Sequence, residues 1–204
     1  MISGQLYRSG DALLRKERTY ARGLLKAFND TVPDEIEKRT GILTELLGTL
    51  GKNAEIEPPF HCDYGYNIHA GNSFYANFNC IFLDCAPIVI GDNTLLGPGV
   101  HLYTATHPLA VEERNIGLES AMPIIIEDNV WICGGAIINP GVTIRKRTTI
   151  GAGSVVTRNI LPDVFAAGNP CKAIRSLVLP QQPPSNSEIP YKWRIVLEIP
   201  FLII

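Results

Sequence analysis

Proton transfer near neutral pH calls first for imidazole, whose ordinary pKa of about 6.5 leaves it largely neutral and able to accept. The chain has four histidines, His61, His69, His101 and His107. No two of them stand in a His-x4-His pair, and the cysteines Cys62, Cys80, Cys85, Cys133 and Cys171 never form C-x-x-C. Neither set spells a zinc framework, and an odd cysteine count without paired spacing fits reduced thiols better than disulfides. His107 differs from the others in its surroundings. It follows Tyr103-Thr104-Ala105-Thr106 and precedes Pro108 at the mouth of a polar stretch, residues 104–123, that interrupts a regular apolar pattern.

That pattern must position the chemistry. From Ile124 onward every sixth residue is a branched aliphatic: Ile126, Ile132, Ile138, Ile144, Ile150 and Val156. Two residues before each stands another apolar or small side chain, Ile124, Val130, Ala136, Val142, Thr148 and Ser154. A six-residue period suits a β-solenoid in which three hexads make one triangular coil, each coil roughly 4.8 Å above the last. The spacing therefore predicts that Ile126 stacks on Ile144, Ile132 on Ile150 and Ile138 on Val156. Each buried side chain contributes about 1.5–3 kcal/mol, so several stacked coils can offset an ordering entropy that one cannot. Ile90, Leu96 and Leu102 keep the same register, whereas Ile56, Cys62, Ile68, Phe74 and Cys80 keep the step but are offset by four, which predicts an irregularity between Cys80 and Ile90. The polar stretch after Leu102 leaves the solenoid and returns in phase, as a loop inserted at a corner does, and such loops often carry function.

Before the repeats, residues 10–29 place Leu14, Ala21, Leu24, Leu25 and Phe28 on one helix face and Arg15, Lys16, Arg18 and Arg22 on the other. Thr31, Pro33 and the acids Asp34, Glu35 and Glu37 start a second helix with the stripe Leu43, Leu46, Leu47 and Leu50, stopped by Gly51. The two read as a cap on the open end of the solenoid. The expected organisation is thus a helical cap over 1–55, a solenoid over 56–160 with an excursion at 103–125, a closing segment over 161–177 and a tail over 178–204. The tail is rich in proline and serine at first and apolar at its end, and it is expected to be dispensable for catalysis.

Several long motifs occur in order: Gly4-Gln5-Leu6-Tyr7-Arg8-Ser9, YGYNIHAGNSFYANFNCIFLDCAPIVIGDN, Thr104-Ala105-Thr106-His107-Pro108, NVWI, INPGVTI, IGAGSVVT and AAGNPCKAIR. Through them the chain closely resembles the maltose and galactoside O-acetyltransferases of the hexapeptide-repeat acyltransferase superfamily, from Gly4 to Leu177. The resemblance implies a left-handed parallel β-helix, a homotrimer with sites between subunits, and direct transfer of acetyl from acetyl-CoA to a sugar hydroxyl. It places the catalytic base on His107. It puts Gly134 at the oxyanion donor, Asn77 at the acetyl end of the cofactor, Ala152, Thr157 and Arg158 along the pantetheine, and Lys172 and Arg175 near the phosphates. For the sugar it implies Asp63, Cys85 and Ser9, and it gives Trp131 a packing role.

Three corners lack the usual glycine after the aliphatic, most sharply Ile144-Arg145, where Arg145-Lys146-Arg147 is expected either to be a solvated basic corner under backbone strain or to touch a phosphate. Two other functions stay open. One is a non-catalytic hexapeptide scaffold. The other is a metalloenzyme of the carbonic anhydrase kind, against which His101 and His107, one hexad apart, would face different ways. A net charge of −2 makes no electrostatic case for nucleic acid. No apolar run is long enough to span a bilayer and no signal-peptide core opens the chain, so a cytoplasmic protein without a bound metal is expected.

Overall fold

A computed structural model describes residues 1–178 and shows a parallel β-solenoid of about six coils preceded by two helices. The tail from 179 onward lies outside the described residues. Each predicted stack is present: Ile126 pairs with Ile144, Ile132 with Ile150 and Ile138 with Val156. These are segments of three columns, Leu50–Ala70–Ile90–Ile126–Ile144, Ile56–Ala76–Leu96–Ile132–Ile150–Ala166 and Cys62–Phe82–Leu102–Ile138–Val156. Each column lines the inside of one face of the prism. The first face runs from Thr49–Leu50 to Thr143–Ile144, the second from Glu55–Ile56 to Val164–Ala167, and the third from His61–Cys62 to Val155–Val156. Side chains two positions earlier point inward as well, so Ile68, Phe74, Cys80, Ile88, Ile124, Val130 and Ala136 are buried beside the columns.

The irregularity is not single. Two corners between the third and first faces, Cys62 to Ala70 and Phe82 to Ile90, each hold two residues more than a hexad. The 20-residue excursion, 104–123, leaves from the next corner down the same edge. Both inner positions are apolar, so a two-residue insertion carries the chain from one column to its neighbour without breaking the visible six-residue step. Ile68, Phe74 and Cys80 continue the apparent period while sitting two places before the stacking column.

The first helix, α1, is Ala12–Asn29, capped by the Asp11 carboxylate, which accepts from the N–H of Leu13 at 2.9 Å and of Leu14 at 3.3 Å. It buries Ala21, Leu25 and Phe28. The second, α2, is Ile36–Leu46 and stops earlier than its leucine stripe predicts. Leu47 is its C-cap, and Leu50 lies beyond the helix altogether: Thr49–Leu50 is already a solenoid strand paired with His69 and Ala70. The step Leu50–Ile56–Cys62 has the hexad spacing, and tertiary stacking overrides the helical one. Gly48 makes the close turn between helix and strand, since a Cβ there would lie 2.3 Å from the Tyr66 carbonyl oxygen.

The basic corner is also corrected. Strain does not fall on Arg145; the positive φ, +57°, is at Arg147, in the place taken by Asn53, Asn93 and Asn129 on other coils. Glycine at the first corner position serves close approach instead: a Cβ on Gly91 would lie 2.3 Å from a carboxylate oxygen of Asp128. Arg145 donates to Glu127 at 2.6 Å, and Arg147 forks onto Asp163 at 2.5 and 2.7 Å. Both arginines are thus paired with acids on the adjoining coils, whereas Lys146 meets Glu127 through its backbone N–H at 2.9 Å. Exposed pairs of this kind contribute little, while asparagine tolerates a positive φ better than arginine. Arg147→Asn is therefore expected to raise Tm by roughly 1–3 °C. A fall in Tm in a calorimetric scan would show the ion pair to outweigh the backbone.

Candidate active site

The edge that holds the long corners builds the site. At its centre is Asp84, wholly buried, whose Oδ1 accepts from the N–H of Asp63 and of Tyr64 at 2.9 Å each and whose Oδ2 accepts from the N–H of Gly65 at 2.7 Å. Its carbonyl accepts from Asn67 Nδ2 at 2.7 Å. One acid therefore shapes the corner of the coil above it. Burial pushes its carboxyl up to about 6 despite the three N–H donors, which act the other way. One coil further on, the buried Thr104 hydroxyl donates to the Leu83 carbonyl at 2.5 Å and accepts from Ala86 N–H at 2.9 Å, fixing the root of the excursion.

The excursion folds back as two short strands, Ala105–Thr106 and Leu118–Ala121, joined through a helical turn at Val111–Asn115. A third strand, Tyr7–Arg8 from the N-terminus, pairs with Leu118–Ala121 on its other side. Thr106 lies opposite Ser120 and Tyr7 opposite Glu119. The same register carries His107 opposite Glu119, so Tyr7, Glu119 and His107 form one row across the three-stranded ribbon. Residues directly opposite on antiparallel strands bring their side chains together. Here Tyr7 donates to Glu119 Oε2 at 2.9 Å, and His107 Nε2 stands 3.9 Å from Glu119 Oε1.

Between the ribbon, α1 and the long corners lies a cleft of about 330 Å³ lined by Ser9, Arg18, Asp63, Tyr64, Leu83, Cys85, Ala105, His107 and Glu119. All four residues expected at the acceptor side, His107, Asp63, Cys85 and Ser9, meet there. The Cys85 thiol lies 3.6 Å from Asp63 Oδ2. Burial pushes that thiol up to about 12, and burial likewise raises the Asp63 carboxyl, against the lowering effect of the Cys85 contact and of Arg18 and Arg22. Arg18 and Glu119 were not legible as site residues. Helical periodicity puts Arg18 on the solvent face of α1, but its guanidinium donates to Tyr64 Oη at 2.5 Å and to the Ser9 carbonyl at 2.7 Å, anchoring the N-terminal strand to the corner.

The residues expected to hold the cofactor do not join this cleft within one chain. Asn77, Gly134 and Ala152 all lie on the edge between the second and third faces, where Gly135 N–H donates to Pro98 O at 2.9 Å and Gly153 N–H to Gly134 O at 3.0 Å. Gly97 sits above Gly134 so closely that a Cβ on it would lie 2.5 Å from the Gly134 nitrogen. Asn77 Oδ1 accepts from the Phe78 N–H at 2.8 Å, and its amide N–H2 has no acceptor among the described residues. Thr157 and Arg158 are exposed at the end of strand Val155–Val156, on the same edge as the cleft but two coils below the root of the excursion. Lys172 and Arg175 are exposed on the closing strand Lys172–Ser176, which pairs antiparallel with Val164–Ala167. Trp131 faces outward from the second face, between Leu95 and Thr149, and is 40% exposed, so it is not packed inside the chain. His61 and His101 flank Ile81 on the third face while His69 is on the first. Among the described residues no three His, Cys, Asp or Glu side chains gather around a point that could hold a metal ion. No helix among them is long and apolar enough to cross a membrane.

A hexapeptide solenoid with an excursion that carries a histidine into a polar cleft defines the class as a hexapeptide-repeat acyltransferase. The bacterial transferase hexapeptide model (six repeats) matches residues 123–158, and the maltose acetyltransferase hexapeptide capping motif matches residues 1–51. The chain is 44% identical to the galactoside O-acetyltransferase of Escherichia coli K12 over 86% of each chain. It is similar to the crystal structure of a maltose O-acetyltransferase from Clostridium difficile 630, with a TM-score of 0.86 and 51% identity, covering 87% of this chain and 95% of that one. A hexapeptide-repeat acetyltransferase from Vibrio cholerae complexed with acetyl coenzyme A superposes with a TM-score of 0.82 at 39% identity, covering 87% and 96%. The chain belongs to the maltose and galactoside O-acetyltransferase family, and it is an acetyltransferase.

Proposed function

We propose that the protein transfers acetyl from acetyl-CoA directly to a hydroxyl of a sugar, with His107 as general base. The acceptor oxygen attacks the thioester carbonyl, His107 takes its proton, and the thiolate of coenzyme A leaves and is reprotonated. The observation that carries this reading is the cleft: hydrogen-bonding side chains surround a space of monosaccharide size, with a half-exposed imidazole at its rim. A covalent route through the enzyme finds no support, because burial holds the cysteine that lines the cleft, Cys85, in its thiol form. Asp63, with Ser9 and Cys85, holds the acceptor.

Gly134 offers its backbone N–H to the oxyanion, and Asn77, Ala152, Thr157, Arg158, Lys172 and Arg175 hold acetyl-CoA. Because Gly134 and His107 lie on different edges of one prism, a face's width apart, the complete site needs the second-to-third edge of a neighbouring copy. That requirement favours the homotrimer, and use of acetyl-CoA favours a cytoplasmic enzyme. Maltose and galactosides enter as acceptor candidates through the names of the relatives. A panel of sugars incubated with acetyl-CoA is expected to release free thiol with at least one of them. Protein that retains acetyl-CoA on equilibrium binding yet acetylates no sugar would overturn the reading.

A further inference from the structure

Glu119 occupies the cleft in a way that the acetyl transfer itself does not require. Its side chain is 18% exposed, one oxygen is fixed by the Tyr7 hydroxyl at 2.9 Å, and the other, Oε1, receives no hydrogen bond among the described residues. No unpartnered side-chain oxygen there is fully buried, so Oε1 opens to the cleft. It faces His107 Nε2 across 3.9 Å, too far for a direct hydrogen bond. In a supporting dyad the carboxylate would contact one ring nitrogen and leave the other to the substrate. Here carboxylate and imidazole nitrogen open side by side onto the same space. Two acceptors at such a spacing match two donors on one ligand, as neighbouring hydroxyls of a polyol present them.

Resting on the acetyltransfer reading above, we propose that Glu119 is a specificity-determining residue that accepts a hydrogen bond from the acceptor hydroxyl neighbouring the one His107 deprotonates. The class of acceptor so selected is a polyol whose reactive hydroxyl has a free hydroxyl beside it. Tyr7 sets the selection indirectly. By occupying Oε2 it fixes the carboxylate plane and turns Oε1 to the ligand, and the ribbon register that pairs Tyr7 with Glu119 holds both opposite His107. A buried site built to accept from a hydroxyl rejects an analogue that lacks it, because the site's own polar atom is then left without a partner.

The test uses the full chain, acetyl-CoA, and methyl glucoside with its set of monodeoxy analogues. For wild type, removal of one hydroxyl that is not itself acetylated is expected to lower kcat/KM by roughly ten- to hundredfold. Glu119→Ala should lower kcat/KM for the parent sugar by a similar factor and treat the parent and that analogue alike, with KM for acetyl-CoA unchanged. Glu119→Gln, which keeps an acceptor oxygen without the charge, should retain part of the discrimination, and it carries the test if Glu119→Ala does not fold. Discrimination that survives in both variants overturns the proposal. So does an equal loss of kcat on every sugar with KM for each sugar unchanged, since that pattern would mark Glu119 as a support of His107 rather than a contact to the acceptor. If wild type acetylates no sugar at all, the proposed function has failed and this inference with it. That result is distinct from an active enzyme indifferent to Glu119.

Discussion

His107→Ala is expected to lower kcat by roughly 10²–10⁴, the usual span for losing a general base, while KM for acetyl-CoA moves by less than about twofold. The structure makes this a clean substitution. The imidazole is 54% exposed and its nearest carboxylate is 3.9 Å away, so truncation removes no buried packing and no hydrogen bond among the described residues. The backbone it stands on is held independently, by the pairing of Ala105–Thr106 with Ser120–Ala121 and by Thr104. The loss should therefore fall on the chemical step, and single-turnover acetyl transfer should slow by the same factor as kcat. A folded His107→Ala protein that kept more than about half of wild-type kcat would remove the base from the mechanism.

Much of the scaffold was visible in the sequence because a β-solenoid repeats its packing requirement every six residues. Ile126, Ile132, Ile138, Ile144, Ile150 and Val156 are all buried where the period put them. The residues that escaped did so for identifiable reasons. The two-residue insertions at Cys62–Ala70 and Phe82–Ile90 were masked because both inner positions of each hexad are apolar. Leu50 fits a helical stripe and a hexad column equally well, and only its pairing with Ala70 decides. Arg18 sits at a position that helical periodicity assigns to solvent; its role comes from Tyr64 and Ser9, contacts that no local pattern encodes. Glu119 lies in a stretch without period, and the strand that positions it, Tyr7–Arg8, comes from the far end of the chain. His107, Asp63, Cys85 and Ser9 are placed through family motifs, and their convergence in one cleft is a finding of the structure. Asp84 did leave a signal: it is a single acid inside the apolar run from Ile81 to Ile90, where only a buried partner set can hold a carboxylate.

That acid carries a large expected effect on stability. Asp84→Ala would leave the N–H groups of Asp63, Tyr64 and Gly65 buried without an acceptor, each worth about 1–3 kcal/mol, so a loss of roughly 3–5 kcal/mol is expected. The corner should loosen with it, and because Asp63 and Tyr64 line the cleft, KM for the sugar should rise in whatever fraction remains folded. The pH dependence has a definite sign. The carboxyl of Asp84 is raised to about 6 from an ordinary value of 3.8, so the folded state holds its proton more tightly than the unfolded chain does. Stability from this group is fully present below the unfolded value and is lost as pH rises through 6. Alanine has no such titration, so the difference between wild type and Asp84→Ala should be larger at pH 5 than at pH 8, by roughly 1–2 kcal/mol at about 1.4 kcal/mol per pKa unit. Other titrating groups are common to both proteins and cancel. Denaturant unfolding at the two pH values decides the matter. A difference that is the same at the two pH values would mean that the three N–H donors offset burial and hold the carboxyl at or below its ordinary range, since such a group has finished titrating by pH 5. Asp84 would then act as a permanently charged clamp on the corner that presents Asp63.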